Sequence, residues 1–149
     1  MNVAFWEPFP LTETLFSKIL AETDLKKLVS AEKARHEKHY DLVLFEGSRF
    51  PEAPFCSAEI WLTPSSCTAK KRPDGLFLTG GMASEDDVLL SSIGENSALI
   101  CIQQELFHEG RVFLPSEQKI PFDRNFSVYK NLAAGFATVA AKFILGEDF

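Results

Sequence analysis

Hydrophobic residues recur along this chain with two periods, and each period predicts a different kind of element. Near the N-terminus Leu15, Phe16, Ile19 and Leu20 fall at helical spacing behind Pro10, whose fixed φ suits a first turn, so a helix is predicted over Thr12 to Glu22. After Asp24, a candidate N-cap, Leu25, Leu28 and Val29 make another short apolar stripe. The nearly all-polar stretch Ser30 to His39 then reads as the solvated end of a second helix. The clearest helical pattern comes last. Val128, Leu132, Phe136, Val139 and Phe143 lie on one stripe, flanked by Ala133, Ala137, Ala140 and Ala141, with Gly146 placed as a C-cap.

Between these segments the apolar runs are short and bounded by Gly, Pro and Ser. Tyr40 to Phe45, Ala58 to Leu62 and Leu76 to Thr79 are predicted strands, with Pro73-Asp74-Gly75 as a turn and the stretches 46–57 and 63–72 as loops. Ser84 followed by Glu85, Asp86 and Asp87, and then by Val88, Leu89, Leu90 and Ile93, has the hydroxyl cap and first-turn acids of a short helix. Ala98 to Phe107 predicts a strand, Glu109-Gly110 a turn and Arg111 to Leu114 its antiparallel return; Pro115, Pro121 and the polar residues between them end the sheet. The order of elements is helix, helix, three strands, helix, two strands, helix. It predicts an α+β fold in which a mainly antiparallel sheet of about five strands (three strands, short helix, hairpin) is covered by N-terminal helices and a long C-terminal helix.

Composition adds a domain count and a compartment. The 149 residues, 46% hydrophobic and 24% charged, hold no repeat and no linker, so a single domain over 1–149 with its own core is expected. Fourteen Phe against two Tyr and two Trp suit a dry interior. Cys56, Cys67 and Cys101 are odd in number and form no CxxC pair, which fits reduced cytoplasmic thiols better than a disulfide framework. Met1 to Pro10 lacks the basic and apolar regions of a secretory signal, and the apolar stretch Leu132 to Ala141 is shorter than the ~20 residues of a membrane crossing. A cytoplasmic chain without a membrane partner is the expectation.

Charge narrows the class of partner. The net charge is −6, and the stretch 83–110 holds Glu85, Asp86, Asp87, Glu95, Glu105 and Glu109 with no Lys or Arg. Nucleic acid is therefore disfavoured, since binding its phosphates needs clustered cations and only Lys70-Lys71-Arg72 forms a basic run. Those six acids are instead the candidate partner-binding residues, complementary to a basic protein surface.

Other motifs point to bland structural roles. His36 and His39 stand three apart, with Glu32 or Asp41 in reach if the segment is helical, yet they lack the i, i+4 spacing of a metalloprotease helix and are crowded by Lys33, Arg35 and Lys38. Gly80-Gly81 has neither a GxGxxG fingerprint nor a P-loop lysine, and the acids miss the calcium-loop spacing. Cys101, between Ile100 and Ile102, reads as a small buried hydrophobe, and Gly47-Ser48 is no nucleophile elbow. No cofactor, metal or catalytic residue is expected; were the chain an enzyme, Asp41, Glu59, His36, His39 and His108 would be its acid–base candidates. The reading is a non-catalytic domain, monomer or homodimer, that neutralises a specific basic protein, as immunity proteins and antitoxins do. Over most of the chain the predicted element order also resembles that of small acidic type III secretion chaperones, apart from the polar helix at Ser30 to His39. That resemblance implies a dimer that escorts an extended segment of an effector.

Overall fold

Two runs without a polar break, Leu42 to Phe45 and Ile60 to Leu62, are buried along their whole length. That is the condition of interior strands in a parallel sheet covered on both faces. The structure, a computed structural model, describes residues 1–6 and 11–146. In chain order it contains β1 (Asn2–Trp6), α1 (Leu11–Ala21), β2 (Ser30–Lys33), β3 (His39–Phe45), β4 (Arg49–Phe50), β5 (Ser57–Pro64), β6 (Thr68–Ala69), β7 (Leu76–Gly81), β8 (Val88–Ser91), β9 (Ser97–Ile102), β10 (Leu106–His108), β11 (Arg111–Phe113), β12 (Ser116–Pro121) and α2 (Val128–Ile144). An eight-stranded sheet runs in the order β12-β9-β8-β7-β5-β3-β1-β2. Every pairing from β2 across to β8 is parallel, while β9 is antiparallel to both β8 and β12.

The expected antiparallel five-strand sheet is therefore corrected to a large, mostly parallel one. Parallel neighbours need a crossover of about a dozen residues, usually a helix. Here the segments 46–56 and 65–75 make that crossover as loops that carry only the two-residue strands β4 and β6, so nothing helical marks them in the sequence. The predicted second helix is a 3-10 turn, Asp24–Lys27, capped by Thr23 rather than Asp24, followed by the edge strand β2. The predicted acidic helix at Ser84 is the turn before β8, whose buried Val88 and Leu90 alternate with half-buried Leu89 and Ser91 in the period of a strand. Pro115 to Pro121 does not end the sheet, since β12 pairs with β9 along its full length. α1 and α2 match their predicted positions, with Ser127 accepting the amide of Lys130 as N-cap and Gly146 at φ +75° beyond the C-terminus of α2; Pro10 lies outside the described residues.

α1 and α2 pack together on one face of the sheet over Phe5, Leu42, Leu62 and Ile100. Small residues let α2 press close. A Cβ on Gly135 would stand 2.3 Å from Ile120 Cδ1, and one on Gly80 would stand 2.6 Å from Leu132 Cδ2. The opposite face is covered by the crossover loops, which fold aromatic rings onto the strands. Phe50 meets Phe45, Trp61 and Phe77 edge-on at 5.1, 5.2 and 5.4 Å, and Trp6 sits 4.4 Å from Phe55. Much of the phenylalanine therefore builds a second hydrophobic layer.

Candidate functional site

In open parallel sheets ligands commonly sit at the carboxyl edge, where the strand order reverses; here that point is between β1 and β3. The first turn of α2 packs beside it, on the carboxyl ends of β3 and β5. Tyr129 Oη reaches the carbonyl oxygens of Phe45 (2.6 Å) and Leu62 (3.3 Å), and the buried Lys130 ammonium donates to Glu46 at 2.7 Å. The opposite edge of the sheet lies at the amino ends of the same strands.

That edge is closed by the β10–β11 hairpin. Its turn residues Glu109 (φ +48°) and Gly110 (φ +77°) both have positive φ, as a two-residue type I′ turn requires. The sequence places this turn correctly, but the strand that pairs across it is the short β10 and not the long β9. Alternation then sorts the side chains. Leu106 and His108 point inward and are buried, whereas Phe107 and its cross-strand partner Val112 remain 51% and 49% exposed and Leu114 69% exposed. Phe113 stacks on Phe143 at 5.4 Å, and Arg111, lying over the Phe113 ring, donates to the Ile144 carbonyl, so the hairpin is pinned to the end of α2.

Inside the hairpin, His108 Nε2 lies 2.8 Å from Asp41 Oδ1, and the other oxygen of Asp41 accepts the Asn2 amide at 2.7 Å. Desolvation alone would raise the Asp41 carboxyl, but the Asn2 amide together with the hydrogen bond and charge of His108 outweighs it and holds the group below the usual aspartate value. His108 Nδ1 is buried without a hydrogen-bond partner among the described residues. Asp41, His108 and Glu109 each bring one donor atom within 4.8 Å of the others.

The six predicted partner-binding acids do not form one surface. Asp86 is buried and accepts the Ala83 amide at 3.0 Å, and Asp87 accepts the amide and hydroxyl of Thr79. Replacing those two tests folding and not docking. Glu95 lines a groove of about 710 Å³ between α1 and the segment leading to α2, where Lys18 and Asp123 pair at 3.1 Å. Glu109 joins Asp41 and His108. Glu85 and Glu105 are exposed as well: Gln103 holds the Glu85 turn by donating to the Ser84 and Asp86 carbonyls, and Glu105 borders a depression shared with Arg72, Phe77, Phe107 and Pro115.

The acid–base candidates separate as well. His36 stacks on Phe55, and Glu32 is taken by Lys38 and Arg35, so no helix joins His36 to His39. His39 instead bridges Ser57 (Nδ1 to Oγ, 2.7 Å) and Glu59 (Nε2 to Oε1, 3.0 Å) across the β3–β5 pair. Ser57 carries no local motif, and only the register of two parallel strands brings it to His39. Cys101 lies half-buried on the face of β9 opposite Ile100 and Ile102, near Glu117 Oε2 at 3.7 Å. Desolvation first, and Glu117 in addition, push its thiol up, which opposes the thiolate a nucleophile needs. Gly80 and Gly81 are the last residues of β7, packed against Leu132 and Asp86, with no turn into a helix. Known protein families and curated proteins show no match to this chain.

Proposed function

We propose that this chain is a non-catalytic protein-binding domain that captures an apolar, Lys/Arg-bearing segment of a basic protein on the outer face of the β10–β11 hairpin. One observation carries the reading: Phe107, Val112 and Leu114 lie exposed together on a short hairpin whose inner face is anchored to α2 and β3. Scattered exposed hydrophobics are ordinary, but a cross-strand pair extended by a third residue is a contiguous patch of the kind that marks interaction sites. The exposed Glu85 and Glu105 supply charge at the margin for a basic partner, and the adjoining depression of about 580 Å³, whose lining also includes Arg72, offers Phe77, Phe107 and Pro115 as an apolar seat for one of its side chains. Neutralisation of a basic protein in the manner of an immunity protein or antitoxin follows from such a blocking interaction. The secretion-chaperone reading loses its support, because the element order behind it is not that of the molecule.

The test is comparative affinity capture with the tagged chain from its native cells. The double variants Phe107→Ser/Leu114→Ser and Glu85→Lys/Glu105→Lys should each fold as the parent does and lose most of a captured basic protein. Capture left unchanged by both overturns the proposal. One observation favours a second reading: the Ser57–His39–Glu59 chain has the donor order of a hydrolytic relay, although His39 and Glu59 are 57% and 44% exposed. Labelling of Ser57 by a fluorophosphonate probe, abolished by His39→Gln, would move the chain to the hydrolases.

A further inference from the structure

We propose that Asp41, His108 and Glu109 bind a divalent transition-metal ion, Zn²⁺ being the best match, that clips the hairpin tip to the amino ends of β1 and β3. The site is independent of the docking surface, which lies on the other face of the same hairpin.

The donors come from three places that the fold alone brings together: the start of β3, the end of β10 and the turn after it. A tetrahedral ion with bonds of ~2.0 to 2.2 Å holds its ligand atoms about 3.3 Å apart. His108 Nε2 and Asp41 Oδ1 already stand at 2.8 Å, and the three donor atoms fall within 4.8 Å of one another, so a small inward swing of the exposed Glu109 completes three ligands and leaves a fourth position for water. The ion takes the place of the proton shared between His108 and Asp41. Asp41 is oriented from behind by the Asn2 amide, the outer support that metal-binding carboxylates normally have.

His108 is 3% exposed, so packing holds its ring with Nε2 toward Asp41. Its Nδ1 has no hydrogen-bond partner among the described residues, so the support that a metal-bound imidazole normally receives at its second nitrogen comes here from packing alone. The turn points the same way. The first positive-φ position of a type I′ turn favours Asn or Asp, yet it holds Glu109, whose longer side chain reaches back to Asp41 and His108. One imidazole with two carboxylates suits an ion of borderline hardness such as Zn²⁺ better than Mg²⁺, which prefers oxygen and retains its waters.

Calorimetric titration of the metal-stripped full chain with ZnCl₂ is the test, read beside thermal unfolding with and without Zn²⁺. One equivalent should bind and raise Tm, and excess Mg²⁺ should not displace it. Glu109→Gln, on an exposed turn, should keep the fold and weaken binding by about tenfold or more, as should Asp41→Asn, whereas Glu105→Gln should bind as the parent does. Absence of binding, binding unchanged by Glu109→Gln, or binding abolished by His36→Gln/His39→Gln instead would each overturn the proposal.

Discussion

Carboxylates in this molecule act first as acceptors for backbone amides, and their effect on stability follows from that. Asp123 takes the Asn125 amide and then the Lys18 ammonium, and both hold it below its usual range. Asp41 does the same for Asn2 and His108. Because its carboxyl is depressed on folding, Asp41 stabilises the fold fully above its unfolded pKa of about 3.9, and that contribution is lost as pH falls through the lower folded value. Asp41→Asn should therefore cost about 1–2 kcal/mol at pH 7, the worth of a partly exposed charged hydrogen bond. Urea titrations repeated at falling pH should show the gap between parent and variant closing below pH ~4; a gap that widens on acidification refutes the assignment. The cysteines give a second residue-level prediction. Burial pushes the Cys56 thiol up to about 11, so at pH 8 about one Cys56 in a thousand is thiolate. Iodoacetamide followed by peptide mass spectrometry should find Cys67 and Cys101, both half-buried, modified in the native chain and Cys56 modified only after unfolding.

At the scale of elements, the close contact between α2 and the sheet decides what a helix position tolerates. Gly135→Ala gains about 1 kcal/mol of helix propensity, but its methyl meets Ile120 Cδ1, and overpacking of a dense core costs about 1–3 kcal/mol. The variant should be less stable by about 1 kcal/mol. Adding Ile120→Val removes the clashing carbon, so the double variant should be about 1 kcal/mol more stable than the sum of the two single changes, a coupling that a denaturation cycle measures directly. The same elements show what the sequence carries. α2 was legible because its stripe runs over several turns, and α1 because it has a clean apolar face. β3, β5 and β7 were found as strands, but the unbroken burial of Leu42 to Phe45, which points to a parallel interior strand, says nothing of its neighbours. β1 escaped because Asn2 to Trp6 is too short to outweigh the helix behind it. β2 escaped because Ser30 to Lys33 is polar, and polar, charged residues are what an exposed sheet edge uses to discourage further pairing. β12, at the other edge, carries Glu117, Lys119 and Pro121 for the same physical reason, and those residues read as a loop.

Across the whole molecule, charge and apolar surface divide the work of recognition differently from what the acidic stretch 83–110 suggests. Its acids were legible as a run, but a run in sequence becomes one surface only if the chain stays extended, and here a turn, two strands and a hairpin spread it over several sides. The exposed pair Phe107 and Val112 was not legible, because their outward direction depends on the register of a three-residue strand. Asp41 and His108 were, for the same reason, only separate acid–base candidates. What remains of the acidic signal is the net charge of −6 and the exposed Glu85 and Glu105, and under the proposed function both would act at long range, speeding encounter with a basic partner without holding it. The apolar patch would act only at contact, where it would set how long the proposed complex lasts. The two kinds of variant should therefore separate kinetically. By surface plasmon resonance at low salt, Glu85→Lys/Glu105→Lys should lower the association rate constant about tenfold and flatten its dependence on ionic strength, with the dissociation rate little changed. Phe107→Ser should instead raise the dissociation rate and leave association within about threefold of the parent. If reversing the two acids acts on dissociation alone, they lie inside the contact and not at its margin, and the division between steering by charge and holding by the hairpin face fails.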